Sequence, residues 1–255
     1  GVRLTTILDK HGDRTSKMAE GCDLSVATSF EGILANSDIH AVDICLPTYL
    51  HAEYTIKALK AGKHVVCEKP LGMTSRETAR VVQAVKKGGP DGPVFAVNYM
   101  CRFFPAVLQM RALVERGELG EIIHVQGHFF QDWLLKETDY NWRVLAAEGG
   151  RLRAVGDIGS HWMDMIQHLT GLPITGLCAD LATFHKTRKK PKAAIQTFAG
   201  KKLKPSDYEE VKITTEDYGG VLLHLGESAR GAFTASQVAA GNKNRFAFEI
   251  YGTKS

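Results

Sequence analysis

Short apolar runs alternate with amphipathic segments along the first part of the chain. Runs of β-branched and other apolar residues predict strands at Val2–Leu8, Val26–Phe30, Ala41–Leu46, His64–Glu68 and Pro93–Tyr99. Apolar residues at helical spacing predict helices at Arg14–Glu20, Glu31–Ala35, Ala52–Gly62 and Ser75–Lys87. Strands that alternate with helices in this way are typical of βαβ units. We therefore predict a parallel, doubly wound half-sheet over residues 1–98.

The pattern changes after residue 98. Helices are predicted at Pro105–Arg116 and Ser160–Thr170. Runs with apolar alternation predict strands at Glu121–Phe130, Val211–Asp217, Gly219–Leu225, Ala229–Val238 and Arg245–Gly252. Alternation of this kind is typical of a mostly antiparallel sheet. Residues 99–255 are therefore predicted to form a second domain of the α+β class.

The first predicted strand runs straight into Asp9. An acidic residue at a strand end of a dinucleotide-binding sheet usually follows a glycine-rich G-x-G-x-x-G turn about 20 residues earlier. We therefore expect this turn to lie before Gly1. A further strand ends close to Ser255, so we expect the second domain to be incomplete as well.

Composition narrows the class of protein. The chain has 255 residues, of which 44% are hydrophobic and 24% charged, as expected for a soluble globular protein. It contains no run of about 18 apolar residues and no charged-then-apolar leader, so we expect neither a membrane span nor a signal peptide. The expected location is the cytoplasm.

The net charge of +4 gives little support for a nucleic-acid partner. The basic run His185–Lys192 has no interleaved aromatic residues that could stack on bases, so a solvated loop is favoured over an anion or nucleic-acid patch. The cysteines form no C-x-x-C pair and are expected to be small, reduced core residues. They are Cys22, Cys45, Cys67, Cys101 and Cys178.

Polar residues follow three of the predicted parallel strands, and ligands of such sheets bind at the carboxyl ends of the strands. Asp9 can accept both hydroxyls of an adenosine ribose and repel a 2′-phosphate, although a helix cap or turn aspartate is also possible. The segment Leu46–His51 forms a strand-to-helix turn. The segment Glu68–Pro70 places Lys69 at the same edge of the sheet.

A second candidate motif is GDIGSHWMD in the second domain. Asp157 and His161 are four residues apart and can lie on neighbouring turns of a helix. Histidine suits proton transfer near neutral pH. A metal site would need further ligands, and Asp164 and His168 on the same helix do not supply an evident open site. We therefore expect no metal here.

Several segments together resemble the Gfo/Idh/MocA family, the oxidoreductases of glucose-fructose oxidoreductase and inositol dehydrogenase type. They cover nearly the whole chain in the family's order: Leu46–Ala79, Asn98–Ile122, Asn141–Arg143 and Gly156–Gly171. The resemblance implies a Rossmann-type dinucleotide-binding domain over residues 1–98, N-terminally incomplete, followed by a substrate-binding and oligomerisation domain over residues 99–255. The glycine-rich loop of the family is absent from the chain.

The resemblance also implies a reaction, in which a hydride passes between a sugar or polyol hydroxyl carbon and NAD(P). Because Asp9 would repel a ribose phosphate, we predict that NAD is preferred over NADP. The resemblance further implies that His161 is the acid/base, that Asp157 orients it or binds substrate hydroxyls, and that Lys69 assists the same oxygen. A cationic amine there stabilises developing alkoxide charge. The cofactor-binding residues so implied are Asp9, Leu46, Pro47, Thr48, His51, Glu68, Lys69 and Asn98. The substrate-binding residues so implied are Arg102, Trp142, Arg143, Asp157 and His161.

Alternatives remain open at this point. Arg102, Trp142 and Arg143 could equally serve core packing or surface ion pairing. The family contains a dinucleotide-binding sensor without turnover, and a reductase of a non-sugar carbonyl or imine would share the first domain. The predicted sheet of the second domain carries apolar or small residues at many positions, so a homo-dimer or homo-tetramer is expected, with no nucleic-acid or membrane partner.

Overall fold

The computed structural model describes residues 1–193 and 203–254, with the backbone alone at residues 13 and 14. The chain forms two compact units. The first comprises residues 1–46 and 50–98, and the second comprises residues 47–49 and 99–255. The division near residue 98 coincides with the change in the hydrophobic pattern.

Every strand pair described in the first unit is parallel. β1 (Thr6–Ile7) pairs with β2 (Ser25–Val26). β4 (His64–Cys67) lies between β3 (Ala41–Ile44) and β5 (Phe95–Val97). The helices are α1 (Gly12–Cys22), α2 (Phe30–Ala35), α3 (Thr48–Lys60) and α4 (Ser75–Gly88). The predicted parallel α/β organisation is confirmed.

Some boundaries differ from the prediction. The first strand is confined to the two residues that pair with β2, because Val2 and Leu4 project into solvent rather than onto a neighbouring layer. Helix α4 begins at Ser75, as predicted, and ends at Gly88, one residue later than predicted. Thr74 is the N-cap, and its hydroxyl accepts a hydrogen bond from the N–H of Glu77 at 3.2 Å. The carboxylate of Glu77 in turn accepts from the N–H of Met73 at 2.7 Å.

An apolar core fixes the register of β3 against β4. Its buried members are Phe30, Ile44, Ala58, Leu59, Val65 and Cys67. Ile44 pairs with Cys67 at the carboxyl ends of the two strands. The segments that follow these strands therefore leave the sheet side by side.

The second unit is built on a five-stranded sheet. Its order is β12 (Arg245–Gly252), β6 (Ile122–Phe130), β11 (Ala229–Ser236), β10 (Tyr218–Leu225) and β7 (Ile174–Ala182). Only the β11–β6 pair among these is parallel. The mostly antiparallel sheet was predicted, although β7 was not recognised. A separate antiparallel pair joins β8 (Thr187–Pro191) to β9 (Tyr208–Lys212).

The α-helices in the described part of the second unit are α5 (Pro105–Glu115), α6 (Ala146–Gly149) and α7 (Ser160–Thr170). Helix α7 lies against the inner face of the sheet, where buried Trp162 stacks on Phe233 with ring centroids 4.7 Å apart. A side chain at Gly127 of β6 would place its Cβ 2.7 Å from the indole nitrogen of Trp162. Only glycine there allows the helix to approach this closely.

The opposite side of the sheet, which we call the outer face, carries small and apolar residues together with polar ones. One row runs across four strands through Gly220, Thr234, His128 and Ala247, and the next runs through Leu222, Ala232, Gln126 and Glu249. Leu222 is 63% exposed. None of the helices in the described ranges has the length and apolar character that a bilayer crossing requires.

Two expectations about side chains are wrong. The basic run around Arg188 is not a solvated loop, since Thr187–Pro191 forms β8 and the Arg188 side chain is buried. Among the cysteines, only Cys67 is fully buried, whereas Cys22, Cys45 and Cys178 are exposed. All five are free thiols, as expected.

Candidate active site

The turn after β3 is held by His51. This histidine lies in the first turns of α3 and is only 1% exposed. Its Nε2 atom lies 2.6 Å from the carbonyl oxygen of Leu46, and its Nδ1 atom lies 2.7 Å from the carbonyl oxygen of Pro70. The imidazole therefore contacts backbone carbonyl oxygens with both nitrogens. Directly after Leu46, half-buried Pro47 is followed by Thr48, which is buried at the start of α3.

Glu68 organises the turn after β4. Its Oε1 atom accepts a hydrogen bond from Nδ2 of Asn98 at 2.7 Å, and its Oε2 atom accepts from the backbone N–H of Lys69 at 3.3 Å. The backbone N–H of Asn98 donates to Cys67 at 2.8 Å, so this carboxylate spans the ends of β4 and β5. The Lys69–Pro70 peptide bond is cis. Lys69 is partly buried and lies between the N–H that donates to Glu68 and the Pro70 carbonyl that His51 contacts.

Asp9 is exposed beyond β1 and is part of a turn. Its Oδ1 atom accepts a hydrogen bond from the N–H of His11 at 2.8 Å, immediately before α1. The role of a turn aspartate, one of the alternatives considered for Asp9, is therefore observed for its Oδ1 atom. The position of Asp9 at the carboxyl end of a parallel strand is the one that a ribose-binding acid requires.

In the second unit, a π-helical turn at Val155–Gly159 leads directly into α7. Such π turns widen the helix locally and occur often at functional sites. Asp157 lies in this turn, and its Oδ2 atom accepts a hydrogen bond from Nε2 of Gln237 at 3.0 Å. The same oxygen is 3.8 Å from Nε of Arg143. The Asp157 side chain is 18% exposed, so the carboxylate is oriented by neighbours while it still reaches solvent.

His161 lies in the first turn of α7 and is partly buried. Tyr99 meets its ring edge-on, with centroids 5.6 Å apart. Burial raises the pKa of Tyr99, which a hydrogen bond with Ser160 only partly opposes. Tyr99 is therefore a neutral neighbour of the imidazole at physiological pH.

The residues near this motif divide into two groups. The guanidinium of Arg143 stacks 4.4 Å from the ring centroid of Trp142 and faces Asp157, so this pair belongs to the candidate site. Arg102 instead forms two hydrogen bonds with Asp164, one of them from Nε to Oδ2 at 2.8 Å. Of the roles left open for Arg102, ion pairing is the one observed.

The helix residues considered as metal ligands are engaged elsewhere. Asp164 binds Arg102, and Nη1 of Arg111 is 3.1 Å from Nδ1 of His168. Burial, with a contribution from Arg111, lowers the pKa of His168. Within residues 1–193 and 203–254, no group of three or more histidine, cysteine, aspartate or glutamate side chains could hold a metal ion.

A buried polar network behind the π turn was missed by sequence reasoning. Asp217 has a fully buried side chain and forms ion pairs with Arg153 and Arg188, whose side chains are also fully buried. Arg153 further donates from Nη1 to Oε1 of Gln237 at 3.0 Å. The carboxylate of Glu216 accepts from the N–H of Arg153 at 2.8 Å. It also accepts from the N–H of Val155 at 2.9 Å, which caps the segment that carries Asp157.

Both units match profiles of one protein family. The profile described as "Oxidoreductase family, NAD-binding Rossmann fold" matches residues 1–91, and that of the "GFO/IDH/MocA C-terminal domain" matches residues 107–255. The fold and these matches place the chain in an oxidoreductase family whose N-terminal domain is described as an NAD-binding Rossmann fold. The chain belongs to the Gfo/Idh/MocA family.

Individual relatives agree with this assignment. Levoglucosan dehydrogenase of Pseudarthrobacter phenanthrenivorans is 31% identical over 228 residues, which cover 89% of this chain and 57% of the relative. The structure of an oxidoreductase domain protein from Kribbella flavida has a TM-score of 0.88 at 32% identity, over 98% of this chain and 63% of that one. Levoglucosan dehydrogenase in complex with NADH and levoglucosan has a TM-score of 0.84 at 29% identity, over 98% and 62%. The chain spans about three fifths of the length of these relatives.

Proposed function

We propose that this chain belongs to an NAD-dependent dehydrogenase that oxidises one hydroxyl-bearing carbon of a sugar or polyol. The observation that carries the proposal is the arrangement of Asp157 and His161 on a π turn and the helix that follows it. A proton acceptor beside an oriented carboxylate is what alcohol oxidation requires, because the hydroxyl proton must leave as the carbonyl forms. Relatives named for dehydrogenation of levoglucosan support a sugar as the substrate class.

In this proposal His161 takes the hydroxyl proton. Asp157, held by Gln237 and facing Arg143, binds substrate hydroxyls or orients the imidazole. The partial exposure of Asp157 and the stacked Trp142–Arg143 pair give a polar wall on which a polyhydroxylated molecule can form hydrogen bonds. A dinucleotide sensor would need no such proton-transfer set.

The first unit supplies the cofactor side. Bound NAD would accept the hydride. Lys69 would contact the nicotinamide ribose, and its backbone position is set by Glu68. The proposed cofactor-binding role of Glu68, Asn98 and His51 is indirect, because their polar atoms bind the segments around Lys69. The glycine-rich phosphate-binding turn is not among residues 1–98, so no phosphate contact is assigned.

NAD rather than NADP is the proposed cofactor. Asp9 is exposed at the carboxyl end of β1, where an acidic side chain can accept hydroxyls of the adenosine ribose. A phosphate on the same ribose would meet a like charge. The fit rests on this carboxylate and on the parallel strands that position it.

A direct spectrophotometric assay of NADH formation tests the proposed function. The protein should be screened by absorbance at 340 nm against sugars and polyols, levoglucosan and myo-inositol among them, with NAD and NADP in separate wells. We expect NADH formation that depends on at least one of these substrates. Tight NADH binding by fluorescence without turnover of any substrate would favour a sensor, and reduction of an imine or non-sugar carbonyl alone would exclude the proposed substrate class.

A further inference from the structure

Gln237 connects the buried charge cluster to Asp157. It follows β11, and it is fully buried. Its backbone is pinned on both sides, since its N–H donates to the carbonyl of Asp217 at 3.1 Å and its own carbonyl accepts from Leu134 at 3.2 Å. From this backbone position, the Gln237 side chain extends between Arg153 and Asp157.

The chemistry of Arg153 decides which way the Gln237 amide points. A guanidinium can only donate hydrogen bonds, so the atom of Gln237 that lies 3.0 Å from Nη1 of Arg153 must be the carbonyl oxygen. The NH2 group then faces Asp157, 3.0 Å from Oδ2. The amide orientation follows from the partner and is not an arbitrary choice between two similar atoms.

Arg153 itself cannot turn away. Its guanidinium is fully buried and bonded to Asp217, and its Nε donates to the hydroxyl of Thr215 at 3.1 Å. Asp217 is held in turn by Arg188 and by the N–H groups of Phe184 and His185. The Gln237 side chain is tied to this cluster through its hydrogen bond with Nη1 of Arg153.

We propose that Gln237 is a positioning residue that presents a fixed donor to Asp157 and so sets the orientation of this carboxylate for the reaction. The inference rests on the proposed function for the role of Asp157, but the hydrogen bond can be tested without turnover. Among the groups that contact Oδ2 of Asp157 are the Gln237 amide at 3.0 Å and Nε of Arg143 at 3.8 Å. The amide is the closer of the two, and it is buried.

The discriminating variant is Gln237→Glu. The new carboxyl keeps an acceptor for Arg153, so the buried cluster stays satisfied, but it can donate to Asp157 only when it is protonated. Gln237→Leu removes both bonds and serves as the second variant. Gln109→Leu, an exposed glutamine on α5, is the matched control.

The first readout is the titration of Asp157 by 13C NMR of carboxyl-labelled aspartate, with the resonance assigned by its loss in Asp157→Asn. We expect both Gln237 variants to move the midpoint to higher pH by about one unit, the scale of one lost hydrogen bond to a charged group. The control should leave it unchanged. An unchanged midpoint in both Gln237 variants would overturn the proposal.

The second readout is the rate with a sugar that the wild type turns over. Gln237→Glu should lower kcat by about tenfold or more, with the NADH dissociation constant within twofold of wild type and partial recovery at lower pH. A purely structural residue would change stability without this pH-dependent recovery, and that result would count against the proposal. If the wild type turns over no sugar, the proposed function fails while the Asp157 titration still decides the role of Gln237.

Discussion

The Nδ1 atom of His51 lies 2.7 Å from the carbonyl oxygen of Pro70, the residue that follows Lys69. The same ring reaches the carbonyl of Leu46 through its other nitrogen. One buried imidazole thus links the segments that leave β3 and β4, which are proposed to meet the cofactor. His51 therefore stabilises the backbone of both segments.

Replacing His51 with leucine should loosen both segments. Leucine fills part of the volume but cannot replace the contacts of the imidazole with these carbonyls, and an unsatisfied buried acceptor costs about 1–3 kcal/mol. We expect the NADH dissociation constant, measured by fluorescence titration, to rise about tenfold. His40→Ala, at an exposed histidine before β3, is the control. Wild-type NADH affinity in His51→Leu would show that the contacts of His51 do not contribute to cofactor binding.

His161 and Lys69 should separate chemistry from binding. His161→Ala is expected to lower the turnover of alcohol oxidation by about a hundredfold or more, the scale of a lost general base, while NADH affinity stays near wild type. Lys69→Ala should reduce both turnover and NADH affinity. Steady-state rates of alcohol oxidation should lose their fall at acid pH with the histidine, because a protonated imidazole cannot accept the hydroxyl proton. Full turnover with an unchanged pH profile in His161→Ala would return α7 to a structural role.

Asp9 should control cofactor choice. We expect a higher kcat/KM with NAD than with NADP, and we expect Asp9→Ser to reduce this preference because a neutral residue no longer repels a ribose phosphate. The hydroxyl of serine can still accept the hydrogen bond from His11 that closes the turn. A clear preference of the wild type for NADP would take Asp9 out of the cofactor site.

Acid should weaken the second unit through Asp217. Burial by itself would raise the pKa of this group, but Arg153, the N–H of His185 and Arg188 outweigh burial and lower it. A carboxylate with a lowered folded-state pKa stabilises the protein above its ordinary pKa, and this contribution disappears as the pH falls through the folded-state value. The loss should therefore occur below about pH 4.

The matching variant is Asp217→Asn. It leaves two buried arginines without their carboxylate, so the free energy of unfolding at pH 7 should fall by about 3–5 kcal/mol. Urea unfolding followed by circular dichroism measures this, and the difference from wild type should shrink in acid. Asp180→Asn on β7, where the side chain is exposed, should stay within about 0.5 kcal/mol. Equal effects of the two changes would contradict a special role for Asp217.

The outer face of the second sheet should mediate self-association. Leu222 is exposed in a row that continues through Ala232, and a charge there should be incompatible with a buried contact. We expect light scattering to show a dimer or tetramer for the wild type and a smaller species for Leu222→Arg. Leu108→Arg, at a half-exposed leucine on α5, should leave the mass unchanged. A wild-type monomer at micromolar concentration would exclude the assembly.

Local patterns in the sequence were sufficient for much of the fold. Helix α7 has the bounds that its apolar spacing predicted, because Trp162, Met165, Ile166 and Leu169 recur on one buried stripe. The alternation of strands and helices likewise predicted the parallel pairs of the first unit. These elements are specified by residues close together in the chain, and a sequence pattern reports such information directly.

The buried charges could not be predicted in this way. Arg188 lies among basic residues that are typical of a solvated segment, and its burial depends on Asp217, which lies 29 residues further along the chain. Gln237 meets Arg153 across 84 residues. The candidate catalytic residues Asp157 and His161 were recognisable from their motif, whereas the groups that orient them were not, because only the tertiary fold brings them together.

The position of β6 between β11 and β12 also delays the pairing of β6 during synthesis. On a ribosome, β6 emerges well before β11 and β12, the two strands that flank it in the sheet. Gln126 of β6 and Glu249 of β12, which face each other, are 123 residues apart in the chain. At about 10 residues per second, β6 waits for roughly ten seconds with two open edges. During that interval its apolar residues are exposed to other chains, so this strand is where a nascent chain would most benefit from a chaperone.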